Sequence, residues 1–86
     1  MTILVTIDAG GQGRATAFAG EVLTVRIDRP YAVGTPLVIA VNGSGIEATI
    51  ETKVVAARRI DDLFELRLRG IHARKDLRER LTEALK

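Results

Sequence analysis

Most of this chain alternates apolar and polar residues with a period of two, and near its end the alternation stops. Ile3, Val5 and Ile7 interleave with Leu4, Thr6 and Asp8, and Leu23, Val25 and Ile27 share one face of a later stretch. Leu37, Ile39 and Val41 follow the same rule. The longest stretch sets Ile46, Ala48, Ile50, Thr52, Val54 and Ala56 against Glu47, Thr49, Glu51 and Lys53. Phe64, Leu66 and Leu68 then alternate with Glu65, Arg67 and Arg69. This period belongs to strands with one buried face. With Arg14–Ala19 as a short second strand, six strands are expected, at about 2–8, 14–19, 21–28, 37–42, 46–58 and 63–69.

The breaks between these stretches carry turn chemistry. Ala9-Gly10-Gly11-Gln12-Gly13 holds three glycines that permit positive φ, as a hairpin loop requires. A phosphate-binding loop would need Gly-Lys-Ser/Thr and a helix opening behind it, and the sequence has neither there. Arg29–Pro36 contains two prolines and a glycine and reads as a loop. Asn42-Gly43-Ser44-Gly45 is the strongest hairpin signal, with Asn-Gly suited to a type I′ turn, and Asp61-Asp62 marks another turn.

After Gly70 the period changes. Ala73, Leu77, Leu81 and Leu85 recur every fourth residue, with Ala84 beside them, which predicts a helix over about 72–85 with a narrow apolar stripe. Asp76 and Arg80 stand at i,i+4 in the favourable order, and Lys86 suits the negative end of the helix dipole. No Ser, Thr, Asp or Asn stands ready to cap its start. Six strands joined by short links leave exposed edges unless the sheet closes. The expected fold is therefore mainly β: a six-stranded antiparallel barrel forming a single domain over 1–86, with a helix on its wall or across its mouth.

Composition narrows the function. At 86 residues the chain is one small domain, too short for an enzyme with its own cofactor module. It has no cysteine, hence no disulfide, no thiolate site and no Cys nucleophile. His72 is its only histidine and Ser44 lies in a turn, so no catalytic constellation, metal site or cofactor is expected. The first residues lack the basic segment and long apolar run of a signal peptide, and no stretch is apolar enough for membrane insertion. A cytoplasmic location is expected. Residues 1–57 carry a net −1 and residues 58–86 a net +3, so the basic balance is local.

The order of elements resembles the PilZ domain family. Pro30–Leu37 resembles that family's loop into the fourth strand, Lys53–Arg58 its penultimate strand, and Phe64–Gly70 its last strand before the helix. The resemblance covers nearly the whole chain and implies a PilZ-like barrel, in a family that senses cyclic dimeric GMP in many bacteria.

The family's ligand motifs are degenerate here. Its RxxxR pair has no counterpart ahead of the first strand, and the first arginine is Arg14. Its [DN]xSxxG motif falls on Ala15–Gly20, where only Gly20 matches, or less aptly on Asp8–Gly13, where Gly10 replaces the serine. Each missing charge-assisted bond removes about 1.5–3 kcal/mol, so losing three or four carries a sub-micromolar site beyond about a millimolar.

The resemblance thus implies a non-catalytic protein-interaction domain in bacterial signalling, motility or surface regulation that does not bind cyclic dimeric GMP. Outward strand positions Leu4, Val22, Val38, Ala40, Val55 and Ala57 are the candidate surface for a protein partner or a homodimer. One alternative is a cyclic dimeric GMP receptor using Arg14, Gly20, Arg58 and Arg59, or arginines from a preceding segment. A third reading, a basic nucleic-acid-binding barrel, is disfavoured because Phe18, Tyr31 and Phe64 are its only aromatics. Arg58, Arg59, Arg67 and Arg69 could nonetheless form a basic surface, with Arg67 and Arg69 outward beside Glu65.

Overall fold

The computed structural model describes residues 3–71 and 74–85. Its elements are β1 (Ile3–Ile7), β2 (Gln12–Ala19), β3 (Val22–Ile27), β4 (Pro36–Gly43), β5 (Ile46–Ile60), β6 (Leu63–Ile71) and α1 (Lys75–Ala84). All pairings are antiparallel, and the sheet closes in the order β1-β2-β3-β6-β5-β4. Closure rests on two pairings between strands not adjacent in sequence, β1 with β4 and β3 with β6. Every strand therefore has a partner on both sides over part of its length, and β5 beyond Val54 pairs with β6 alone.

Alternation explains the interior. Ile3, Val5 and Ile7 of β1, Leu23, Val25 and Ile27 of β3, and Leu37, Ile39 and Val41 of β4 all point inward and are buried. Ile46, Ile50 and Val54 of β5 and Leu66 and Leu68 of β6 complete the lining. Burying each such side chain contributes about 1.5–3 kcal/mol. Thr52 shares the inward face, and its hydroxyl donates to the Leu37 carbonyl at 2.9 Å, so its burial leaves no unpaired donor.

Two bulges correct a strict alternation. In β2 the register shifts between Ala15 and Ala17, leaving Thr16 as the extra residue. In β5 it shifts between Val54 and Ala56, leaving Val55 extra. Past that point the faces of β5 exchange. Ala56, expected inward, pairs with Arg67 of the outer face and is half-buried; Ala57, expected outward, pairs with Leu66 and is exposed.

The turns settle close to expectation, with one shift. The β4–β5 hairpin turns on Ser44-Gly45, with φ of 52° and 78°, and Gly43 pairs with Ile46. Positive φ at both central residues is the type I′ requirement, so the turn sits two residues beyond the Asn42-Gly43 pair. Gly13 serves close approach: a Cβ there would lie 1.8 Å from the Arg26 carbonyl oxygen on β3.

One mouth of the barrel is covered by α1. Leu81 is 1% exposed and joins the core, while Leu77, Ala84 and Leu85 pack against it half-buried. The helix starts at Lys75, after extended Arg74, with no side-chain cap, and Asp76 lies 3.9 Å from Arg74. His72, Ala73 and Lys86, and the expected strand start at Thr2, lie outside the described residues. At the opposite mouth, Tyr31 of the β3–β4 loop packs on the core and its hydroxyl donates to the Gly10 carbonyl.

Candidate functional site

The outer wall of β2, β3, β6 and β5 is basic. Strand register places Arg14, Arg26, Glu65 and Arg58 in one row across these four strands. The next row runs Ala17, Thr24, Arg67 and Ala56, and the third joins Val22, Arg69 and Lys53. Six cations thus share a wall with one carboxylate in these rows, a net +5 against +2 for the whole chain, so everything else nets −3.

Glu65 organises the first row. It is only 8% exposed, accepts a hydrogen bond from Arg58 Nε at 3.0 Å, and lies 3.7 Å from Arg26 Nε. Among the described residues, Arg14, Lys53 and Arg67 have neither an ion pair nor a side-chain hydrogen bond. Arg59 leaves the expected basic cluster. Beyond the Val55 bulge it pairs with Phe64 at the rim, and its Nε donates to the Asp61 carbonyl at 3.2 Å.

The expected nucleotide residues do not converge. Gly20 turns β2 into β3 at the helix end of the barrel, while Arg59 precedes the Asp61-Asp62 turn at the other end. Arg14 and Arg58 share a row but stand three strands apart, halfway round the six-stranded barrel. Arg26 and Glu65 lie between them. Arg26 was not among the sequence candidates and could have been read from its parity, because it alternates with Val25 and Ile27.

On the other side, β1 and β4 present a strip with little charge. Leu4, 59% exposed, pairs with Asn42; Thr6 pairs with Ala40; and the Asp8 amide donates to the carbonyl of Val38, which is 40% exposed. Glu47 and Glu51 of β5 border the strip, and Arg14 borders it beyond Leu4. Leu4, Val38 and Ala40 therefore share the outer face of one strand pair, with Thr6, Asp8 and Asn42 beside them.

The other three candidates do not join it. Val22 is half-buried on β3 beside Arg69, because the strand order puts β3 opposite the β1–β4 seam. Val55 is exposed at its bulge, next to Val54, which is hydrogen-bonded to the loop that carries exposed Val33. Ala57 is exposed on β5 beyond the bulge, away from this strand pair. Among the described residues no three His, Cys, Asp or Glu side chains group as a metal site, and no helix is long and apolar enough to cross a membrane. Comparisons with protein-family models, curated proteins and solved structures each found no match.

Proposed function

We propose that this chain is a non-catalytic, PilZ-like interaction domain that contacts a protein partner through its β1–β4 wall, in bacterial signalling, motility or surface regulation. The observation that carries this reading is the exposure of Leu4, Val38 and Ala40 on the outer face of two hydrogen-bonded strands of a closed barrel. Closure pairs β1 and β4 on both sides, so recognition at this wall falls to side chains. The acidic border from Asp8, Glu47 and Glu51 selects a partner with an apolar centre and cations at its rim. The biological setting is the one implied by the PilZ resemblance. The dispersal of Arg14, Gly20, Arg58 and Arg59 supports the reading without cyclic dimeric GMP.

Substituting Val38→Glu and Leu4→Glu tests the proposal. Both are exposed, so unfolding stability is expected to change by no more than about 0.5 kcal/mol, while site-specific cross-linking from position 40 to the partner disappears. Retained cross-linking by the folded double variant argues against the wall. A calorimetric titration with cyclic dimeric GMP is expected to show no saturable binding below about 10 μM, and binding in that range would favour the receptor reading.

A further inference from the structure

The helix does not seal its end of the barrel. Between α1 and the rim a cleft of about 350 Å³ remains, within the range of small-ligand sites. Its apolar lining comes from Phe18, Leu23, Ile50, Leu68 and Leu81, drawn from four strands and the helix. Its polar side is built from Glu21, Arg69 and Arg78.

These three side chains are arranged around a carboxylate. Arg78 Nη1 donates to Glu21 Oε1 at 3.1 Å, and Arg69 Nη2 lies 3.7 Å from Glu21 Oε2. One carboxylate thus serves two guanidinium groups, leaving the triad at +1. Arg78 Nε is buried and makes no hydrogen bond among the described residues. A guanidinium presents a fork of donors that matches carboxylate or phosphate, and Glu21 engages only one nitrogen of the Arg78 fork. Buried donors of this kind are normally satisfied, and an apolar pocket with a few convergent polar groups is the ordinary form of a ligand site.

We infer that this cleft binds a small anionic amphiphile, a carboxylate or phosphate monoester on a short apolar body. The apolar body lies against Phe18, the half-buried member of that lining, and the head group meets Arg78 and Arg69 beside Glu21. Glu21 is then an internal competitor: it occupies the arginines until an exogenous anion shares or replaces it. The site is separate from the β1–β4 wall, so its occupancy is independent of the partner reading.

Octanoate, octyl phosphate and neutral octanol are the probes, followed by amide chemical shifts of isotope-labelled full-length chain. The two anions are expected to saturate, with shifts centred on Glu21, Gly70 and Arg78, and octanol to bind at least about tenfold more weakly. Arg78→Gln is expected to weaken the anions by a similar factor. Glu21→Gln is expected to tighten them severalfold, a gain that a merely structural carboxylate would not give. This variant also keeps the test decisive if Arg78→Gln fails to fold. Equal binding of octanol, shifts centred elsewhere, or weaker anion binding by Glu21→Gln would each overturn the site. Shifts from octyl phosphate alone would assign the head group to phosphate, and from octanoate alone to carboxylate.

Discussion

Glu65 Oε1 receives a hydrogen bond from Arg58 Nε at 3.0 Å, although strict alternation along β5 would have placed Arg58 inside the barrel. The contact exists because Val55 is an extra residue, which turns the last part of β5 over and delivers Arg58 to the outer row.

Removing the carboxylate by Glu65→Ala leaves Arg26 and Arg58 on the same row without their shared counter-ion. A loss of about 1–3 kcal/mol is expected, read from denaturant midpoints at constant slope. Arg58 is 68% exposed, so the coupling of Glu65 to Arg58 alone in a double-mutant cycle should stay below about 1 kcal/mol. A larger coupling would show that solvent screens this pair less than its exposure implies.

Deleting Val55 removes the extra residue while Val54 stays opposite Leu68 and Arg58 opposite Glu65, so β5 alternates regularly and Arg58 remains outside. The expected result is a folded variant within about 2 kcal/mol of the parent, read from denaturant midpoints. A loss above about 4 kcal/mol, or failure to fold, would show that the bulge itself is needed to close the barrel.

Leu81→Ala tests how α1 is held. Leu81 is the helix residue that joins the core, so truncation is expected to cost about 2–5 kcal/mol, with amide protection lost first in α1. If protection in the helix persists while the strands open, the helix is anchored elsewhere.

Gly13→Ala places a methyl group 1.8 Å from the Arg26 carbonyl oxygen and forces β2 from β3. The melting temperature should fall by an amount equivalent to at least about 1–3 kcal/mol, since a backbone atom cannot rotate aside as a side chain can. Gly20→Ala, where a Cβ meets nothing within 4 Å, serves as the comparison: its penalty should come from φ of +64° alone.

The strands and the helix were legible wherever one face is marked by polarity. Leu23, Val25 and Ile27 alternate with Thr24 and Arg26, and Leu66 and Leu68 with Arg67 and Arg69, so their inward faces could be read directly. The β5 bulge was not legible, because Val54-Val55-Ala56-Ala57 is apolar at four successive positions and carries no marker of which side is which. Pairing of β1 with β4 and β3 with β6 was equally hidden: a period of two tells a residue's face and says nothing about its neighbour across the sheet. The charged row of Arg14, Arg26, Glu65 and Arg58 depends on those pairings, and its members lie as far as 51 positions apart in sequence, 14 to 65. The turn shifted to Ser44-Gly45 because Gly43 is held in the ladder opposite Ile46, which leaves the next two residues to reverse the chain.

The uneven placement of charge makes this small barrel an electric dipole. Six cations on one wall, set against a net −3 over the remainder, give the molecule a preferred orientation in the field of any charged surface. Near a polyanion it turns Arg26 and Arg67 of β3 and β6 toward that surface and holds Val38 of β4 on the far side, open to a second contact. On a cation exchanger the same torque would load the molecules in one pose, and retention would track Arg67 more closely than the formal charge of +2 suggests.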